Sequence, residues 1–137
     1  MSDAIALLQR LVGAECRSVT VFEHSGHLAF DSRVSLNIYC EWRASLPNLT
    51  LVADEALANA EAATSMNSAM NLMLAGLKVS SAGVQPDGNI VVWLGNCKVE
   101  SLDVASGHEA WMLSLEPQLA IVSIDQGVRV WRGNSPD

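Results

Sequence analysis

Cysteine, basic side chains and small aromatics are all scarce in this chain of 137 residues, which has three Cys, eight Lys plus Arg, one Tyr and two Phe. Three cysteines at wide, irregular spacing (Cys16, Cys40 and Cys97) make a poor disulfide framework, so they are read as buried thiols acting as small hydrophobes in a reducing, cytoplasmic setting. Eight cations against fifteen acids leave a net charge of −7. That balance excludes a nucleic-acid surface, because phosphate affinity rests on Lys and Arg. The acidic excess is shared by both halves, and no segment resembles a basic arm or an acidic tail.

Long apolar runs are missing too. The longest uncharged stretch, Ala62–Leu77, is shorter than a membrane span and carries Thr64, Ser65, Asn67, Ser68 and Asn71, so no transmembrane helix is expected. The segment Met1–Gly13 contains Asp3 and lacks a basic start, unlike a signal peptide. Asn48-Leu49-Thr50 is then a chance sequon. Walker, GxGxxG, GxSxG, HExxH and CxxC patterns do not occur. No cofactor and no metal are expected. His24 and His27 have HxxH spacing, but residues three apart on a strand face opposite ways, and zinc asks for three or four grouped ligands. Cys40, Glu41, His108 and Glu109 suggest a Cys-His-Glu set only on paper, since Cys40 falls on the apolar side of an alternating strand.

What is present is a core. Half of the residues are hydrophobic, and a chain of this mass should bury roughly two-thirds of its unfolded surface. Two stretches read as helix. Ala4, Leu7, Leu8 and Leu11 follow i, i+3, i+4, i+7 spacing up to Gly13, and an Ala-rich run spans Glu55–Ala75 before Gly76. The rest alternates as strand. Val34, Leu36, Ile38, Cys40 and Trp42 keep one phase throughout, and Pro86-Asp87-Gly88 marks a turn between Val79–Gln85 and Asn89–Leu94. Further strands are expected at 98–104, 109–115, 119–124 and 128–131.

Short landmarks recur in order. Leu11-Val12-Gly13 parallels Leu74-Ala75-Gly76, Gly26-His27-Leu28 parallels Gly88-Asn89-Ile90, and the run from Trp42 to Leu46 parallels that from Trp111 to Leu115. The expectation is one α+β domain over 1–137. It would consist of two pseudo-symmetric repeats, about 1–54 and 55–137, each a helix followed by antiparallel strands, with the helices packed on one sheet face.

These residues, with Trp42-Arg43 and His108-Glu109-Ala110-Trp111, resemble small uncharacterised bacterial α+β proteins that carry a duplicated LxG…dGxLxL…W unit. Some of those resemble immunity proteins of contact-dependent or polymorphic toxin systems. The chain departs from that pattern at Asp31 to Val34 and Gly95 to Cys97, where the usual turn is lacking. The resemblance implies a fold more than an activity.

The functional expectation is a non-enzymatic protein-binding module, immunity-like, that inhibits a basic partner protein. The alternative is a small homodimer with a ligand or enzyme pocket between the repeats. Candidate binding residues are Trp93, Glu41, His108, Glu109, Trp131 and Arg132. Trp93 alternates against Ile90, Val92 and Leu94, so it points to the other sheet face, whereas Trp42 and Trp111 read as core. Glu41 and Glu109 each precede a tryptophan landmark and are candidates to face a shared groove. The uncharged helix offers Ser65, Asn67, Ser68, Ala69 and Asn71 as an interface for self-association or a partner.

Overall fold

A computed structural model describes residues 8–21, 25–31, 34–53, 60–102, 109–115, 119–124, 127–132 and 135–136. A single 3-10 turn, Gln9–Leu11, leads into strands β1 (Cys16–Val21), β2 (Gly26–Phe30) and β3 (Ser35–Ile38). A hairpin follows, β4 (Trp42–Leu46) and β5 (Leu49–Ala53), closed by Pro47-Asn48. Helix α1 (Ala60–Leu74) then introduces β6 (Val79–Val84), β7 (Ile90–Leu94) and β8 (Cys97–Ser101). The chain ends with β9 (Glu109–Leu115), β10 (Leu119–Ile124), β11 (Gly127–Arg132) and the short β12 (Ser135–Pro136).

The strands form two antiparallel sheets, ordered β1-β2-β3-β9-β10-β11-β12 and β5-β4-β8-β7-β6. Each sheet joins three strands from one half of the chain to strands from the other. β1–β3 continue into β9 and β10, and β6–β8 continue into β4 and β5. The seams are β3 with β9, where Leu36 meets Leu113, and β4 with β8, where Ala44 meets Val99. β1 and β6 both begin with a buried-exposed-exposed-buried pattern and share a register shift just after their first residue.

This arrangement overturns the expected helix-plus-strand repeats with helices on a sheet face. The molecule is mostly β, with one α-helix among the described residues. Of the first helical stretch, only the 3-10 turn and Leu8 lie within the described residues. Helix α1 closes an edge instead of covering a face. Asn71 Oδ1 accepts from the Val19 N–H at 2.9 Å and its Nδ2 donates to the Val19 carbonyl at 2.6 Å. Asn67 repeats the pattern one turn earlier, with Oδ1 on the Val21 N–H and Nδ2 on the Val21 carbonyl. The helix thereby stands in for a strand beside β1, while Met70 and Leu74 enter the core.

The single strand read over Val34–Trp42 is also corrected. Pairing stops at Ile38 and resumes at Trp42, because the chain crosses here from one sheet to the other. Buried side chains of both sheets and α1 form one cluster, with Trp42 and Trp111 fully inside it. Trp111 Nε1 donates to the Gly88 carbonyl at 2.9 Å. The Trp42 ring lies flush against Gly26, where an added Cβ would come within 2.4 Å of it.

Candidate binding face

Antiparallel register sends alternate residues of the five-stranded sheet to its two faces. Ile90, Val92, Leu94, Cys97, Val99 and Ala44 go inward and are buried. The outer face carries two cross-strand rows. One runs Ser81, Trp93, Lys98, Ser45, Thr50, and the other Gly83, Val91, Glu100, Arg43, Val52.

Three charges lock the middle of this face. Arg43 Nε is 2.9 Å from Glu100 Oε2, and Lys98 Nζ is 3.6 Å from Glu100 Oε1. Glu100 is buried between them although it sits on the outward side of its strand, so its carboxylate is screened from water and doubly paired. Two cations against one carboxylate leave this patch locally positive on an acidic molecule. The Lys98 ammonium also lies 5.8 Å from the centroid of the Trp93 ring, within cation–π range.

Trp93 is 39% exposed. Across the ladder, Gly83 offers no side chain, and a Cβ placed there would meet nothing within 4 Å. The result is an open depression of about 380 Å³ lined chiefly by Ser81, Gly83, Gln85, Val91, Trp93 and Lys98. An indole wall, an ammonium and small hydrogen-bonding groups suit holding another molecule's side chain. No group of three His, Cys, Asp or Glu side chains placed to hold a metal occurs among the described residues.

The other sequence-derived candidates lie elsewhere. Glu41 is exposed in the crossing between β3 and β4, where its carbonyl accepts the Leu102 N–H. Glu109 opens β9 in the seven-stranded sheet; Trp131 and Arg132 end β11, paired with β10 and β12, and the side chains of all three lie outside the description. His108 and His24 lie outside the described residues. His27 Nδ1 is 2.7 Å from Asn37 Oδ1, a cross-strand contact between β2 and β3. On α1, Ser65 and Ser68 are exposed and Ala69 is half-buried, whereas Asn67 and Asn71 are engaged with β1. Leu72, at 90% exposure, marks the outward side of that helix. Sequence reasoning missed Arg43, Gly83, Lys98 and Glu100. Lys98 and Glu100 are two apart on one strand, so their shared face was readable, but their neighbours were not.

Cys16 and Cys97 are buried and Cys40 half-buried, and none of the three is in a disulfide. Burial pushes the Cys16 thiol from 9.0 up to about 11, and burial raises Cys97 as well. The folded state therefore favours the neutral thiol. Below about pH 9 both states hold the proton and nothing changes. Above it the unfolded chain ionises first and gains, so stability is lost as pH rises from about 9 towards 11. Cys16 contributes a slope of at most about 1.4 kcal/mol per pH unit. Urea denaturation at pH 8, 9, 10 and 11 should show a steeper decline in the wild type than in Cys16→Val. Equal slopes would remove this account.

No family model, curated protein or solved structure matches the chain. No helix among the described residues is long and apolar enough to cross a membrane.

Proposed function

We propose that this chain is a non-enzymatic protein-binding module whose contact face is the outer side of the five-stranded sheet, centred on Trp93. The observation that carries this reading is the half-exposed indole on a hydrogen-bonded strand, beside an open shelf at Gly83. Tryptophan dominates binding hot spots because it brings a large apolar area at low entropic cost. The paired Arg43, Glu100 and Lys98 supply a polar surround that is already ordered before binding.

The partner is a basic protein, since a net charge of −7 steers cationic surfaces toward the molecule from a distance. An inhibitory, immunity-like role in the cytoplasm fits both that charge and three cysteines held outside any disulfide. The locally positive patch at Lys98 then selects within the interface, seating an acidic or carbonyl-rich edge of the partner against Trp93.

The test is capture of the partner from the native host at low salt, followed by surface plasmon resonance with the captured polypeptide. Trp93→Ala should weaken binding by about 30-fold or more, the loss expected of a hot-spot residue. Its melting temperature should stay near wild type, because the side chain is outside the core. Raising salt should slow association more than it speeds dissociation. Undiminished binding by Trp93→Ala would overturn the assignment of this face.

A further inference from the structure

Four strand edges end the two sheets, and three of them are guarded. The β1 edge is occupied by Asn67 and Asn71 of α1. The β6 edge is met by Gln9 Nε2 on the Ala82 carbonyl and by backbone bonds joining Val79 to Gly13 and Ala14. β12 is a two-residue strand ending in proline, which cannot extend a ladder, and the part of β11 that it leaves unpaired carries the charge of Arg129. The fourth edge, β5, shows no such device among the described residues. Its sequence Leu-Thr-Leu-Val-Ala holds no charge and no proline, its ladder with β4 shows no bulge, and Leu49 is 50% exposed. Edge strands that stay unpaired are normally blunted by charge, proline or a bulge.

The hairpin fixes which backbone groups are on offer. Its two-residue connection makes Leu46 and Leu49 a hydrogen-bonded pair, and alternation makes Ala44 with Leu51 the next. The N–H and C=O groups of Thr50 and Val52 therefore point outward, and no described residue bonds to them. The other sheet shows what such an edge accepts. There β10, which like β5 lies second beyond the seam, is covered by the antiparallel strand β11.

We propose that β5 is the seam of a homodimer in which the β5 strands of two copies pair antiparallel, joining two five-stranded sheets into one of ten strands. A second copy fits because the strand is self-complementary. A two-fold axis at Leu51 sets Thr50 opposite Val52 and Leu49 opposite Ala53 of the other copy, apolar against apolar on the inner face. With no charge in β5, two acidic molecules meet there without like charges in the ladder.

The experiment is native mass spectrometry of the full chain at 1–100 µM, with hydrogen exchange read at the Thr50 and Val52 amides. The wild type should be dimeric at the upper concentration, with both amides protected there and exchanging fast on dilution. Val52→Pro removes a donor that β4 does not use, so its circular dichroism should stay native while its dimer constant weakens at least tenfold. A wild type monomeric at 100 µM, a dimer undiminished in Val52→Pro, or exchange independent of concentration would each overturn the seam. So would a foreign strand found on β5 of a monomeric chain.

Discussion

Gly26→Ala is expected to lower the melting temperature by about 2–12 °C. A Cβ at this position would come 2.4 Å from the Trp42 ring, well inside any real carbon–carbon contact. Trp42 is fully buried and its ring is boxed in by the core, so neither partner yields cheaply. Overpacking of this kind costs about 1–3 kcal/mol. For a chain of this size each kcal/mol corresponds to about 2–4 °C. The steric cause has its own signature. In a Trp42→Phe background the same alanine should cost less, because the atoms it strikes are those of the larger ring. Thermal melts of the two single variants and the double variant measure that coupling. Additive losses, or a Gly26→Ala protein that melts with the wild type, would show that the contact is not what constrains this position.

The paired change Asn67→Ala and Asn71→Ala is expected to cost about 2–4 kcal/mol and to make the protein prone to association. Each asparagine satisfies both backbone groups of one β1 residue, Val21 and Val19 respectively. Val19 and Val21 are themselves buried, so the groups left behind lose a partner without gaining free access to water. An unsatisfied group of that kind costs about 1–3 kcal/mol, with the lower end fitting a partly wet edge. The exposed strand then becomes a template for another chain. Urea denaturation gives the first quantity and light scattering as a function of concentration gives the second. A variant with a wild-type midpoint and no scattering would mean that α1 is held to β1 by Met70 and Leu74 alone.

Several parts of this architecture were legible from side-chain order. Alternation through Ile90–Leu94 separated Trp93 from its buried neighbours, and the Ala-rich run located α1. Pro86-Asp87-Gly88 marked the β6–β7 turn, where Gly88 takes φ of 91°. Other parts were hidden for physical reasons. Val34 to Trp42 keeps one apolar phase through the crossing at Tyr39–Glu41, so periodicity shows no break where the chain changes sheets. A helical repeat shows that Asn67 and Asn71 share a side of α1 but says nothing of what lies opposite, and the same spacing serves an open interface or an edge strand. The pairing of Arg43 with Glu100 exists only through the β4–β8 register, which brings together residues far apart in the chain. The two-sheet layout was missed because recurring landmarks do not reveal that each half completes its sheet with strands of the other.

That exchange sets the order of events during synthesis. When a ribosome has released the chain through Ala53, three strands of one sheet and two of the other are in hand, and neither set has its seam partner. β3 waits for β9 and β4 waits for β8, with α1 and the β6–β7 hairpin still to come. At about 5–20 residues per second the wait lasts several seconds, during which both inner edges and half of the future core are open to solvent. The first half released alone would remain a sticky fragment, since its two strand sets close only on each other's missing partners.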